Sequence, residues 1–153
     1  MLRHQFANDN SRDESNTVLY IVVVNAPESA VSQALSNTNA LLMSFENSAL
    51  FCFNSAVNGQ RLYQVTNTDN AVLVVDRVSQ KIPDKEGVGL ARKIGADIAV
   101  KLFAQNKVRQ PWGASTDADS QLPELNLATL RKMNNQPYSG AVFPFEHKTA
   151  DRS

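Results

Sequence analysis

Two carboxylates one residue apart, Asp117 and Asp119, end the run Gln110-Pro111-Trp112-Gly113-Ala114-Ser115-Thr116-Asp117-Ala118-Asp119 and are the residues of this chain best spaced for chemistry. If the run before them is a strand that gives way to a turn, both carboxylates can reach one rim of a sheet. Hard oxygen ligands with open positions suit Mg²⁺ or Mn²⁺ bound together with phosphate oxygens, the chemistry of a nucleotide-diphosphate leaving group. The chain has nine Asp in 153 residues, so about half a D-x-D is expected by chance. The pair therefore takes its meaning from the elements that position it, and a solvated turn is its default reading.

The bulk composition narrows those elements. A chain of 153 residues that is 42% hydrophobic can bury one moderate core, which argues for a single domain. Lys plus Arg and Asp plus Glu both total 15, so no global field favours nucleic acid or an anionic membrane, and any anion site must be local. The lone Cys52 excludes an internal disulfide and fits a reducing, cytoplasmic compartment; within Leu50-Phe51-Cys52-Phe53 it reads as a buried structural thiol. No run approaches the ~20 apolar residues of a membrane span, and residues 1–17 are too polar for a signal peptide.

Along the chain, 1–17 reads as a flexible polar leader, 18–147 as an α/β domain and 148–153 as a polar tail. Val18 to Val24 is a continuous β-branched run, the pattern of a strand buried on both faces. Asn25 as a cap and Pro27 in a first turn predict a helix from Pro27 to Phe45 that buries Val31, Ala34, Leu35, Leu41 and Leu42. Ala49 to Phe53 reads as a strand or a helix end; as a strand it forms a hairpin with Arg61 to Val65 through the Asn58-Gly59 turn signal. Ala71 to Asp76 reads as a second core strand ending in an acid, and Val78 to Glu86 as a loop. Gly87 to Gln105 is helical by pattern, with Ala91, Ile94, Ile98 and Leu102 toward a sheet. A helix over Leu122 to Asn134 and a strand over Gly140 to Phe145 complete the order. This alternation predicts a three-layer α/β/α sandwich with right-handed crossovers. Ligands of such sheets bind at the carboxyl ends of the strands, which gives Asp76 a place near a site, although by itself it reads slightly better as a loop acid capping a turn.

Competing motifs fail on their spacing. Gly87-Val88-Gly89-Leu90-Ala91-Arg92 puts Arg92 where a dinucleotide fingerprint needs its third Gly, and no strand feeds directly into it. No Gly-Lys-Ser or Gly-Lys-Thr occurs, which excludes a P-loop. An aspartyl-nucleophile phosphatase is expected to carry its paired acids after a strand nearer the chain start and more apolar than Trp112 to Thr116, and it stays a lesser competitor.

Taken in order, Asn25-Ala26-Pro27-Glu28, Val74-Val75-Asp76, Gly87-Val88-Gly89-Leu90-Ala91-Arg92-Lys93 and Asp117-Ala118-Asp119 resemble the motif series of glycosyltransferase family 2. The resemblance covers roughly Val18 to Pro123 and implies the nucleotide-sugar-binding half of a GT-A fold, a Rossmann-like, mostly parallel sheet that is incomplete in this chain. By that resemblance Asn25, Pro27, Glu28 and Asp76 hold the nucleoside, Arg92 contacts the nucleotide, Asp119 is the direct ligand of Mn²⁺ or Mg²⁺, and Asp117 lies nearer the ribose or the metal's outer shell. The implied activity is metal-dependent, inverting transfer of a sugar from a UDP- or GDP-sugar to an acceptor. The family's catalytic base lies well downstream of its D-x-D; here no residue is assigned to that role, Glu146 and His147 are weak candidates, and an exposed terminal His is the plainer reading of His147 than a late ligand or base. The alternative is a non-catalytic nucleotide-binding or nucleotide-sugar-binding module. The sequence departs from the family pattern in lacking an aromatic-Asn-Glu ending at Asn25 to Glu28 and in following Asp76 with Arg77-Val78-Ser79.

Overall fold

The computed structural model describes residues 17–110, 112–117, 120, 129, 132–133, 137, 140 and 142. The expected leader apart from Thr17, the tail, and most of the expected last helix and strand lie outside them. Of those last two elements, Thr129, Lys132 and Met133 are helical, and Gly140 and Val142 are not in a strand.

The described chain is α/β, with four strands and two helices in the order β1 (Leu19–Pro27), α1 (Ser32–Glu46), β2 (Phe51–Val57), β3 (Gln60–Val65), β4 (Ala71–Ile82) and α2 (Gly87–Ala104). The sheet order is β1-β4-β3-β2. β1 pairs parallel with β4, while β4 with β3 and β3 with β2 are antiparallel, so these strands form a mixed sheet and not the mostly parallel one expected. The connections explain this: the two turns flanking β3 are too short for the crossover that a parallel neighbour requires. No described helix is long and apolar enough to cross a membrane.

β4 lies between two strands and carries the deepest burial, with Val72 and Ile82 at 0% exposure. Among the described strands β1 borders only β4, and most of it is half-buried. Its register starts at Asn70, a buried polar residue whose Oδ1 accepts from Val18 N at 2.8 Å while Ala71 N donates to Val18 O at 3.0 Å. The hairpin forms as expected. Asn58 and Gly59 have φ of 49° and 75°, the left-handed pair whose twist matches two antiparallel strands, and Gly59 O accepts from Asp76 N at 2.8 Å. Gly59→Ala should therefore destabilise the fold by about 1–2 kcal/mol in urea denaturation, because an L side chain is strained at that φ.

Two helix-strand boundaries differ from expectation. β1 continues through Asn25 to Pro27, paired with Arg77 and Ile82 of β4, so Asn25 caps nothing and Pro27 opens no helix. α1 begins at Ser32 after Val31, without a side-chain cap. Leu42 and Phe45 are its buried residues and Leu35 is half-buried, while Val31 is 68% and Leu41 40% exposed. Leu41 lies about 100° around the helix from Leu42, outside the buried stripe. The second difference is β4, which runs on to Ile82 where a loop was expected; Val78 and Ile82 are buried within it.

The main core joins Val24 and Ala26 of β1, Leu42 and Phe45 of α1, Tyr63 and Val65 of β3, and Val72, Val74 and Val78 of β4. The β1 members are even-numbered and share one face. Val23 points the other way, and a β-carbon at Gly95 of α2 would sit 3.6 Å from its Cγ2. α2 keeps its expected face: Ala91 is buried and Ile94, Ile98 and Leu102 are half-buried, with an exposed Lys93–Asp97 ion pair on the far side.

Candidate functional site

β1 and β4 run parallel and each leads into a helix, so the loops that carry the expected site residues emerge at one edge of the sheet. They are stitched together there. Glu28 N donates to Ile82 O at 3.0 Å, Lys81 Nζ to Glu28 O at 3.4 Å, and both Ser29 N and Ser29 Oγ to Asp84 Oδ1 at 2.9 Å. The Ser29 N–H and hydroxyl hold the exposed Asp84 carboxyl below its ordinary range. Pro27 and Glu28 are exposed on this rim. Both helices start beside it without a side-chain cap hydrogen bond and with no acid in the first turn. Their free N–H groups and positive dipole ends favour an anion.

Asp76 lies inside β4, level with Val24 of β1. Between the Asn25–Arg77 and Pro27–Ile82 pairs, β1 has only Ala26 where β4 has Val78, Ser79, Gln80 and Lys81, so β4 bulges. A bulge removes backbone N–H groups from the ladder, and Asp76 supplies their acceptor. Val78 N and Ser79 N donate to Asp76 Oδ1 at 2.8 and 3.2 Å, and Ser79 Oγ to Oδ2 at 2.9 Å. Burial alone would raise the Asp76 carboxyl, but these bonds and the charge of Arg61 outweigh it and hold the group below the usual carboxylate range. By strand alternation Asp76 shares the face of Val72 and Val74, with α1, while Arg77 takes the other face beside Asn25. Both Asn25 and Arg77 are half-buried.

Asp117 and Arg92, 25 residues apart, are brought together. Arg92, in the second turn of α2, forms an exposed ion pair through Nη2 to Asp117 Oδ1. Residues 112–117 have no regular secondary structure, so the strand expected before the acids is absent there. Ser120 N donates to Asp117 O at 3.1 Å, and Thr116 Oγ1 to the same oxygen at 3.4 Å. Asp119, Glu146 and His147 lie outside the described residues. Among the described residues no three His, Cys, Asp or Glu side chains cluster. As a hard oxygen donor whose Oδ2 is not held by Arg92, Asp117 fits the ligand chemistry of Mg²⁺ or Mn²⁺.

Sequence reasoning missed Arg77, Ser29 and Asp84. Only Pro83-Asp84, a turn signal, was available for the last; Arg77 was hidden because the chain directly after it, Val78 to Glu86, reads as loop until the bulge is seen. Compared with protein-family models, curated proteins and solved structures, the chain matches none of them.

Proposed function

We propose that this chain binds a nucleotide-diphosphate sugar at the carboxyl edge of β1 and β4 and acts as a metal-dependent glycosyltransferase of family 2 type. The observation that carries the reading is the Arg92–Asp117 pair, which joins the Gly-rich helix start to the acidic run. Support comes also from the packing, with α1 in the core on the even-numbered face of β1 and α2 against Val23 on the other. Adjacent parallel strands whose helices leave to opposite faces form a switch-point crevice, the common ligand position in α/β sheets. On this reading the domain is a three-layer α/β/α sandwich of GT-A type, and it works in the cytoplasm.

In the proposed mechanism Asp119 and Asp117 would hold a Mn²⁺ or Mg²⁺ ion, which supplies charge neutralisation on the departing diphosphate when bound. Arg92 orients Asp117 and adds a second positive charge. The two helix starts offer N–H groups to phosphate oxygens. Asn25, Pro27, Glu28 and Asp76 would border the nucleoside, and Glu146 or His147 would take the acceptor's proton.

Calorimetry with UDP- and GDP-sugars, with and without Mn²⁺, tests this. Metal-dependent binding by the wild type is expected, with affinity lowered at least about tenfold in Asp119→Ala. No metal-dependent binding, or an Asp119→Ala variant equal to wild type, overturns the reading. Turnover of a bound donor separates a transferase from a non-catalytic binding module.

A further inference from the structure

We infer that Arg77 is an anion-binding residue of the same edge, one that grips a phosphate oxygen of a diphosphate; the inference rests on the donor-binding reading for the identity of its ligand. Three observations converge. The Arg77 Nε is buried and has no hydrogen-bond acceptor among the described residues, although Nη1 of the same guanidinium donates to Gln80 Oε1 at 2.7 Å. No carboxylate pairs with Arg77 among the described residues, whereas Arg61 and Arg92 each have one. Finally, Arg77 lies where β1 and β4 part company, directly across from Asn25 and at the start of the bulge.

A half-buried guanidinium without a counter-ion carries an unmet demand for negative charge and for an acceptor at Nε. Phosphate oxygens meet both, since the planar fork presents Nε–H and a terminal N–H side by side and binds oxygens in pairs. The alternation of β4 turns Arg77 toward the α2 side of the sheet, the side of the helix that carries Arg92. Asn25, on the same face, offers a neutral amide beside the anion. Arg77 thus supplies a fixed cation from inside the sheet, while Arg92 supplies an exposed one from the helix.

The test uses the whole chain and inorganic pyrophosphate at low salt, with UDP as a second probe. The Nε–H cross-peak of Arg77, assigned by its loss in Arg77→Met, is expected to shift on titration with pyrophosphate. Arg77→Met is expected to weaken pyrophosphate and UDP binding about tenfold or more, and Arg77→Lys to recover only part of it, because an ammonium lacks the fork. Circular dichroism checks that the variants fold; should Arg77→Met not fold, the wild-type cross-peak and Arg77→Lys decide. Pyrophosphate binding without movement of that cross-peak, or with equal affinity in a folded Arg77→Met, overturns the inference. Metal-dependent donor binding that survives Arg77→Met unchanged removes Arg77 from the site and leaves the proposed function standing. A wild type that binds neither pyrophosphate, UDP nor donor removes both.

Discussion

Tyr63→Ala is expected to lower the unfolding free energy by about 3–5 kcal/mol, whereas Tyr63→Phe should leave it unchanged or raise it by about 1 kcal/mol. Tyr63 is 1% exposed and is among the largest fully buried side chains. Its ring is the hub of an aromatic group, with centroids 6.2 Å from Phe45, 6.3 Å from Phe51 and 5.9 Å from Phe53. Truncation removes that packing from the seam between α1 and the hairpin and leaves a cavity that the sheet cannot close. The hydroxyl contributes in the opposite sense: it is buried with no well-formed hydrogen bond among the described residues, and burial pushes its ionisation upward, with Glu46 adding to the shift and the neighbouring Arg61 guanidinium offsetting part of it. Removing only that oxygen relieves an unmet polar group. Urea denaturation of both variants checks the pair. A loss above about 1 kcal/mol in Tyr63→Phe would show that the hydroxyl is bonded in solution.

Asp76→Ala comes next in size, with an expected loss of about 2 kcal/mol, the range for removing a carboxylate that accepts backbone N–H bonds. Val78 N and Ser79 N lose their common acceptor, and the bulge loses its brace. Asp76→Asn should fall between, since an amide oxygen can keep the backbone bonds but has no charge for Arg61. The sign of the pH dependence follows from the lowered carboxyl. The charged form is favoured by folding, so the contribution is fully present above the unfolded Asp value of about 3.9 and disappears as the pH falls through the lower, folded one. Stability measured from pH 6 down to pH 2 should therefore decline less steeply in Asp76→Ala than in wild type. Equal slopes would show that the carboxylate does not brace the bulge. Asp76 can border a ligand as well, but its main contacts in the structure are with its own strand.

Much of the fold was legible because its signals are local. The β-branched run at Val18 to Val24, the Asn58-Gly59 turn and the 3.6-residue spacing of Ala91, Ile94, Ile98 and Leu102 each encode a backbone conformation within a few residues. The errors fell where long-range pairing overrode those signals. Asn25 and Pro27 look like a helix start, yet hydrogen bonding to β4 keeps them in β1. Asp76 looks like the end of a strand, yet the strand bulges, uses Asp76 as its own acceptor and continues to Ile82.

The candidate site divides the same way. Residue types and order along the chain were enough to single out Asn25, Glu28, Asp76, Arg92 and Asp117, because a motif is a property of short segments. Their grouping was decided by the tertiary structure alone. It set Arg92 on Asp117 across 25 residues, tied Ser29 to Asp84, and turned Asp76 and Arg77 to opposite faces of one strand. The physical reason is that side-chain direction in a strand reverses at every residue, and strand neighbours are chosen by burial and hydrogen bonding over the whole sheet. A linear sequence carries the chemistry of each group, and only the assembled sheet determines which groups meet.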